Sequence, residues 1–409
     1  MKALFFPFST GPGLAHAGAC LSVAGRLVER DSEAFIAYGG TRPDLVRGDG
    51  IGVIDVEEVP LEAADNHQRV DPFYPDVETL IRFIEGDRAV IESEAPDVVV
   101  VDMRMPSMAA AELAGIPTVA INHFLPFTGY TTLSSWQRRL RMLRHPLRVA
   151  SRLPSIFRRD PFGAQILVDR FAEARRVLGL PPMEGLPMTG PCTAFTTTPF
   201  LDPPSRPLPQ GWHYAGPITW SVPGGQGPPG RGSRPLVFIS QGTLGSGRAM
   251  KEIVKGLSGL EAEIAVVTMG VTDREEIESL GPGITALEVV DNDAWVSAAD
   301  VAVMHGGHLS MSAAARAGTP TVVIPDGRDH WAWAAKTDRL GTGIALYRPL
   351  IPGAVGRAVR KILTDPGYTE RADRLARKLE GWSGEEKTAD LIERVAAEPE
   401  LGVCGSPGS

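Results

Sequence analysis

Apolar runs along this chain are short and come in two series, each interleaved with stretches whose apolar residues recur at helical spacing. In the amino half the runs lie at residues 2–8, 34–38, 98–101 and 118–121. Continuous apolar runs of this length predict strands buried on both faces. Between them, residues 17–30 carry Leu21, Val23, Ala24, Leu27 and Val28 close to a helical period, and residues 76–93 and 109–114 also read as helices. The series restarts with strands at 236–240, 264–268, 284–290, 301–304 and 321–324 and helices at 250–257 and 310–317. Helices at 351–364, 370–379 and 388–397 complete the pattern. Strand and helix in alternation predict parallel sheets with right-handed crossovers, hence an α/β protein.

Between the two series, residues 221–235 read SVPGGQGPPGRGSRP, and this density of Gly and Pro predicts an interdomain linker. A chain of 409 residues accommodates two domains. The expected division is 1–220, a linker at 221–235, and 236–380. Residues 381–398 are expected as a helix returning to the first domain, and 399–409 as a frayed tail.

Composition narrows the function classes. Hydrophobic residues make up 43% and charged residues 22%, enough for a sizeable core. A net charge of −8 argues against general nucleic-acid binding. Cys20, Cys192 and Cys404 are too far apart in sequence for a disulfide framework or a zinc motif, which points to the reduced cytoplasm. The opening MKALFFPFSTGPG is basic then apolar, but its apolar run is short and lacks a small-residue cleavage pattern, so it reads as a first strand. No run reaches the roughly 18 apolar residues of a spanning helix.

The densest chemistry lies at residues 301–346, VAVMHGGHLSMSAAARAGTPTVVIPDGRDHWAWAAKTDRLGTGIAL. A buried strand runs into His305, Gly306 and Gly307. A small-residue helix follows, stopped by Gly318 and Pro320, and a second strand ends in Pro325 and a polar turn at 326–330. Glycines allow backbone N–H groups to approach an anion, and a helix N-terminus adds partial positive charge. A phosphate-bearing ligand suits such a place.

In order and spacing, His305, Gly306, Gly307, Ser310, Ala317, Gly318, Pro320, Pro325 and Asp329 resemble the donor-binding signature of nucleotide-sugar glycosyltransferases with the GT-B fold, of the UDP-glycosyltransferase and natural-product type. The resemblance implies two Rossmann-like domains facing a central cleft. It implies that His305, Gly306, Gly307 and Ser310 hold a diphosphate and that Asp329 and His330 meet sugar hydroxyls. Two positions depart from the signature. The family's ribose-binding Glu corresponds to Ala313, and its final Gln to His330, so the donor sugar is not fixed as glucose.

The resemblance assigns further residues. Its turn of Ser-x-Gly-Thr/Ser corresponds to Ser240, Gln241, Gly242 and Thr243, lying against the donor diphosphate. Its base-binding segment falls on Val290, Asp291 and Asn292, without the usual Pro-Gln pair. In the first domain, STGPGLAH leads to His16, where the family places the general base for the acceptor hydroxyl; Asp102, after the strand PDVVVV, takes the place of the carboxylate behind it. Imidazole titrates near neutrality, as this task requires, and a carboxylate would orient the ring and stabilise its charged form. Trp295, Trp331 and Trp333 are expected to pack rather than stack on ligand.

The expected reaction is transfer of a hexose from a UDP- or dTDP-sugar to a hydroxyl of a small hydrophobic acceptor, such as a secondary metabolite, with inversion. No residue set resembles a metal cage, so no metal or other cofactor is expected; the nucleotide sugar is a co-substrate. Two alternatives stay open: a nucleotide-sugar epimerase of the same fold, and a catalytically impaired nucleotide-sugar-binding or partner protein. Residues 138–159 hold eight arginines and no acid. A solvated acceptor-domain helix is the plainer reading, and weak contact with an anionic membrane surface the sharper one.

Overall fold

The computed structural model describes residues 1–11, 13–59, 73–123, 125, 164–182, 188–230, 232–242, 247–326, 328–347, 350–351 and 353–403, with backbone only at Ala164, Arg328 and Asp329. The chain forms two compact units. One comprises Met1–Gly11, Cys20–Gly216 and Gly384–Ser409, the other Pro12–Ala19 and Pro217–Ser383.

The first unit is built on a parallel sheet of strands β1 (Lys2–Pro7), β2 (Glu33–Tyr38), β3 (Ile51–Asp55), β4 (Val98–Asp102), β5 (Thr118–Asn122), β6 (Cys192–Phe195) and β7 (Trp212–Tyr214). Their spatial order is β3-β2-β1-β4-β5-β6-β7. Helix α1 (Ala15–Val28) follows β1; α2 (Val77–Glu94), α3 (Pro106–Ala114) and α4 (Ala164–Val177) follow in the chain. Leu4, Phe6, Val99 and Val101 present one sheet face to Leu80, Phe83, Ile84 and Ile91 of α2 in a single buried cluster. α1 is one continuous helix; its first residues are grouped with the second unit and its body, from Cys20, with the first.

The second unit repeats the plan. Strands β8 (Leu236–Ser240), β9 (Glu263–Val267), β10 (Ile284–Leu287), β11 (Val301–Met304), β12 (Thr321–Val323) and β13 (Gly343–Ala345) stand in the order β10-β9-β8-β11-β12-β13, all parallel. Its helices are α5 (Gly247–Lys255), α6 (Arg274–Glu278), α7 (Asn292–Ala298), α8 (His308–Ala317), α9 (Arg328–Leu340), α10 (Ala354–Thr364) and α11 (Gly367–Leu379). The last helix, α12 (Gly384–Ala397), returns to the first unit and touches β4, β5 and β6. Arg30 holds it with ion pairs to Glu386, Asp390 and Glu393 at 2.5–2.8 Å.

Several elements differ from the sequence reading. The polar turn expected at 326–330 is shorter: helix α9 begins at Arg328, so His330 sits in a first helical turn. The strand expected over 284–290 ends at Leu287, and α7 starts at Asn292 with the Asp291 side chain capping it. β3, β6, β7 and β13 were not anticipated: β3 is mostly half-exposed, and the others run only three or four residues. The Gly/Pro-rich stretch is tied to the second unit: Gln226 pairs with Val290, and the Asp293 N–H donates to Ser221 Oγ at 2.9 Å. The arginine-rich residues 138–159 lie outside the described residues. Among the described residues, no helix is long and apolar enough to cross a membrane.

A buried ion pair fixes the turn after β4. Arg104 donates to Asp87 from Nε at 2.9 Å and from Nη2 at 2.7 Å, and Ser107 Oγ adds a bond to Asp87 at 2.6 Å. Both charged side chains are almost fully enclosed. Burial pulls the guanidinium toward neutrality, but the Asp87 charge and hydrogen bonds outweigh it and raise its pKa. Removing one partner leaves an uncompensated buried charge. Arg104→Ala should therefore cost roughly 3–5 kcal/mol in urea unfolding, whereas the double change Asp87→Leu with Arg104→Met should cost clearly less.

Candidate functional site

Each sheet reverses its direction of growth once. In the second unit β8, β9 and β10 build outward one way and β11, β12 and β13 the other, so the switch falls between β8 and β11. In the first unit it falls between β1 and β4. Loops leaving the carboxyl ends of such strands diverge to opposite faces and open a crevice where ligands bind. The candidate residues follow these four strands.

In the second unit Ser240 stands beside Met304 in register, which brings the loops holding Gly242 and His305 together. The His305 ring occupies a slot that leaves no room for a side chain at position 242 or 307. A Cβ on Gly242 would lie 2.9 Å from Nε2, and one on Gly307 only 2.4 Å from it. Gly242 also has φ +71° and Gly306 φ +97°, values that favour glycine. A Cβ on Gly306 would sit 3.0 Å from the His330 carbonyl oxygen. The His330 ring meets His305 edge-on at 4.6 Å between centroids. His305 Nδ1 lies 3.5 Å from the Ser240 carbonyl oxygen. That oxygen can only accept, so the contact is a hydrogen bond in the tautomer that carries its hydrogen on Nδ1.

Helix α8 starts beside this ring. Gly307 is its N-cap and provides no side-chain cap, and the first helical bond runs from Met311 N to the Gly307 oxygen at 3.0 Å. The N–H groups of His308, Leu309 and Ser310 thus precede any intrahelical acceptor, an arrangement that favours an anion. Ser310 is half-buried in this first turn. Ala313, at the position of the family's Glu, is only 4% exposed and packs in the interior, so no carboxylate is presented there. His308, not singled out from sequence, is buried and accepts from Trp333 Nε1 at 3.1 Å through Nδ1. Trp333 and Trp295 both pack inside, Trp295 stacked on Phe238. Trp331 stacks on Tyr347.

Val290 is buried, and Gln226 engages the backbone on either side of it: Gln226 N donates to the Val289 oxygen and Asp291 N to the Gln226 oxygen. In a parallel bridge of this kind Val290's own N–H and C=O point away from Gln226. Asn292 opens α7. Thr243 lies outside the described residues, as does the Asp329 side chain.

In the first unit, β1 and β4 pair in register with Pro7 beside Asp102. Asp102 closes β4 and is 2% exposed. Met103 follows in the left-handed region at φ +63°, in a turn that Arg104 anchors. Burial, and secondly the charge of Asp102, push the Cys20 thiol well above its usual range. Cys20 lies one helical turn after His16 on the same face of α1, so the helix carries His16 toward Asp102. Ligand-capable atoms of His16, Asp102 and His123 all fall within 4.8 Å of one another. His123 follows β5 directly, a place its position after a buried strand could have flagged. Glu58 secures the loop between β1 and α1 by accepting from the Gly11 N–H; burial raises its pKa and this bond opposes the rise.

The chain is similar to several known proteins. Residues 251–392 match the EryCIII-like family model, the C-terminal domain of erythromycin biosynthesis protein CIII-like proteins. A PGL/p-HBAD biosynthesis rhamnosyltransferase of Mycobacterium bovis is 26% identical over 346 residues, covering 78% of this chain and 72% of the relative. A zeaxanthin glucosyltransferase of Pseudescherichia vulneris is 27% identical over 325 residues, covering 76% of each chain. Among solved structures, the glycosyltransferase VinC in complex with DTDP superposes with a TM-score of 0.67 at 19% identity, over 97% of this chain and all of that one. With its two parallel-sheet α/β units and glycosyltransferase relatives along most of its length, the chain is an enzyme of the glycosyltransferase class with the GT-B fold.

Proposed function

We propose that the protein transfers a hexose from a UDP- or dTDP-sugar to a hydroxyl of a small hydrophobic acceptor, with inversion at the anomeric carbon. The carrying observation is the His305 slot beside the uncapped start of α8. An imidazole stands there beside a row of N–H groups, the chemistry a departing nucleoside diphosphate requires. VinC supports a deoxythymidine carrier, since its structure holds DTDP at a related fold. The zeaxanthin glucosyltransferase supports an apolar acceptor, and the two relatives name different sugars, so the hexose is left open.

In this reading the diphosphate lies against Gly242, Thr243, His305, Gly306, Gly307 and Ser310. Val290 and Asn292 border the base, and Asp329 and His330 hold sugar hydroxyls. The acceptor oxygen attacks the anomeric carbon as the bond to the diphosphate breaks. Its proton passes to the His16 ring, and Asp102 stabilises the imidazolium. Amide dipoles and His305 offset the developing charge, so the reaction needs no divalent ion or other cofactor. The buried Ala313 favours one other reading, a protein that binds the nucleotide sugar without turnover.

A panel of UDP- and dTDP-sugars with apolar alcohol acceptors tests the proposal. Transfer or slow donor hydrolysis supports it, interconversion of donor sugars indicates an epimerase, and calorimetric binding with neither indicates the impaired protein. His16→Ala should lower kcat at least about a hundredfold while sparing donor affinity, and near-normal turnover would reject His16 as base. Gly307→Ala should weaken donor binding about tenfold or more by driving a methyl into the His305 ring, with little change in acceptor KM.

A further inference from the structure

We propose that His16, Asp102 and His123 form a binding site for a transition-metal ion of the zinc class, and that the bound ion blocks transfer by occupying the lone pair of His16. Two imidazoles and a carboxylate are the donor set this ion takes with three protein ligands and one open position. Their candidate ligand atoms already lie within 4.8 Å of one another. In a tetrahedral shell with bonds of about 2.0–2.1 Å, ligand atoms stand about 3.3 Å apart, so small side-chain rotations close the site.

Each ligand comes from a fixed element. Asp102 is the last residue of β4, in register with Ile121 of β5, and the buried Arg104–Asp87 pair holds the turn that follows it. His123 comes two residues after Ile121. It follows Asn122, which is fully buried and donates from Nδ2 to the Met188 oxygen at 2.7 Å. His16 stands in the first turn of α1, whose position near Asp102 is independently marked by the Cys20 thiol. Asp102 is buried while both histidines are half-buried, so an ion from solvent can reach the rings. The Cys20 thiol resists deprotonation through its burial and is a poor fourth ligand.

Metal binding needs neutral imidazole, and the electron pair donated to the ion is the pair that would accept the acceptor's proton. Occupancy and base catalysis by His16 therefore exclude each other. Only this inhibitory consequence rests on the proposed role of His16; the binding itself does not.

Calorimetry on chelator-treated, full-length protein titrated with zinc chloride tests the site. One ion per chain is expected, with affinity reduced about tenfold or more in His123→Ala and His123→Asn and unchanged in Cys20→Ala. Cobalt(II) added to the wild-type chain should give the intense visible bands of a four-coordinate site, weakened in the His123 variants. Zinc should inhibit transfer by the wild type and inhibit His123→Ala far less, each measured against that protein's own metal-free rate. Zinc affinity equal in wild type and both His123 variants, or no binding at all, overturns the proposal. If zinc binds through His123 while His16→Ala transfers normally, the site stands and the base assignment falls.

Discussion

The second unit depends on one steric constraint: the His305 ring exists in its observed place only because Gly242 and Gly307 have no side chains. A methyl at either position would overlap the ring, and Gly306 between them adopts a backbone angle open to glycine. The glycines thus do two things at once. They let two loops from adjacent strands close around an imidazole, and they leave the start of α8 bare. A side chain there would cap the helix and fill the space an anion needs.

That local device is placed by topology. Both sheets reverse direction once, between β1 and β4 and between β8 and β11. The candidate base and its carboxylate follow the first pair, and the glycine loops follow the second. The repeated plan explains how a chain with two unrelated sets of chemistry puts each at the carboxyl edge of its own sheet. The stabilising interactions sit just behind these edges. Arg104 and Asp87 lock the turn that follows Asp102, and Glu58 ties down the loop that leads to His16.

Much of this was legible in the sequence because fully buried parallel strands leave continuous apolar runs. β1, β4, β5, β8 and β11 all announced themselves in that way, and so did the His-Gly-Gly turn after β11. Elements at the sheet edges did not. β3 exposes alternate residues, and β7 and β13 are three residues long, so neither periodicity nor length separates them from loops. Helix α9 was hidden by its own chemistry: RDHWAWAAKTDRL opens with charges and a histidine, which read as a turn. The position of His330 beside His305 follows only once that helix is recognised. His123 was missed for a different reason. Three-dimensional clusters assembled from the start of α1 and the ends of β4 and β5 leave no spacing signature in the chain.

A crystal structure of the protein with dTDP or UDP is the most direct measurement of the central claim. The β-phosphate should lie within hydrogen-bond distance of His305 Nε2 and of the N–H groups at the start of α8. Phosphates bound elsewhere in the second unit, with the His305 ring still turned away from them, would contradict it.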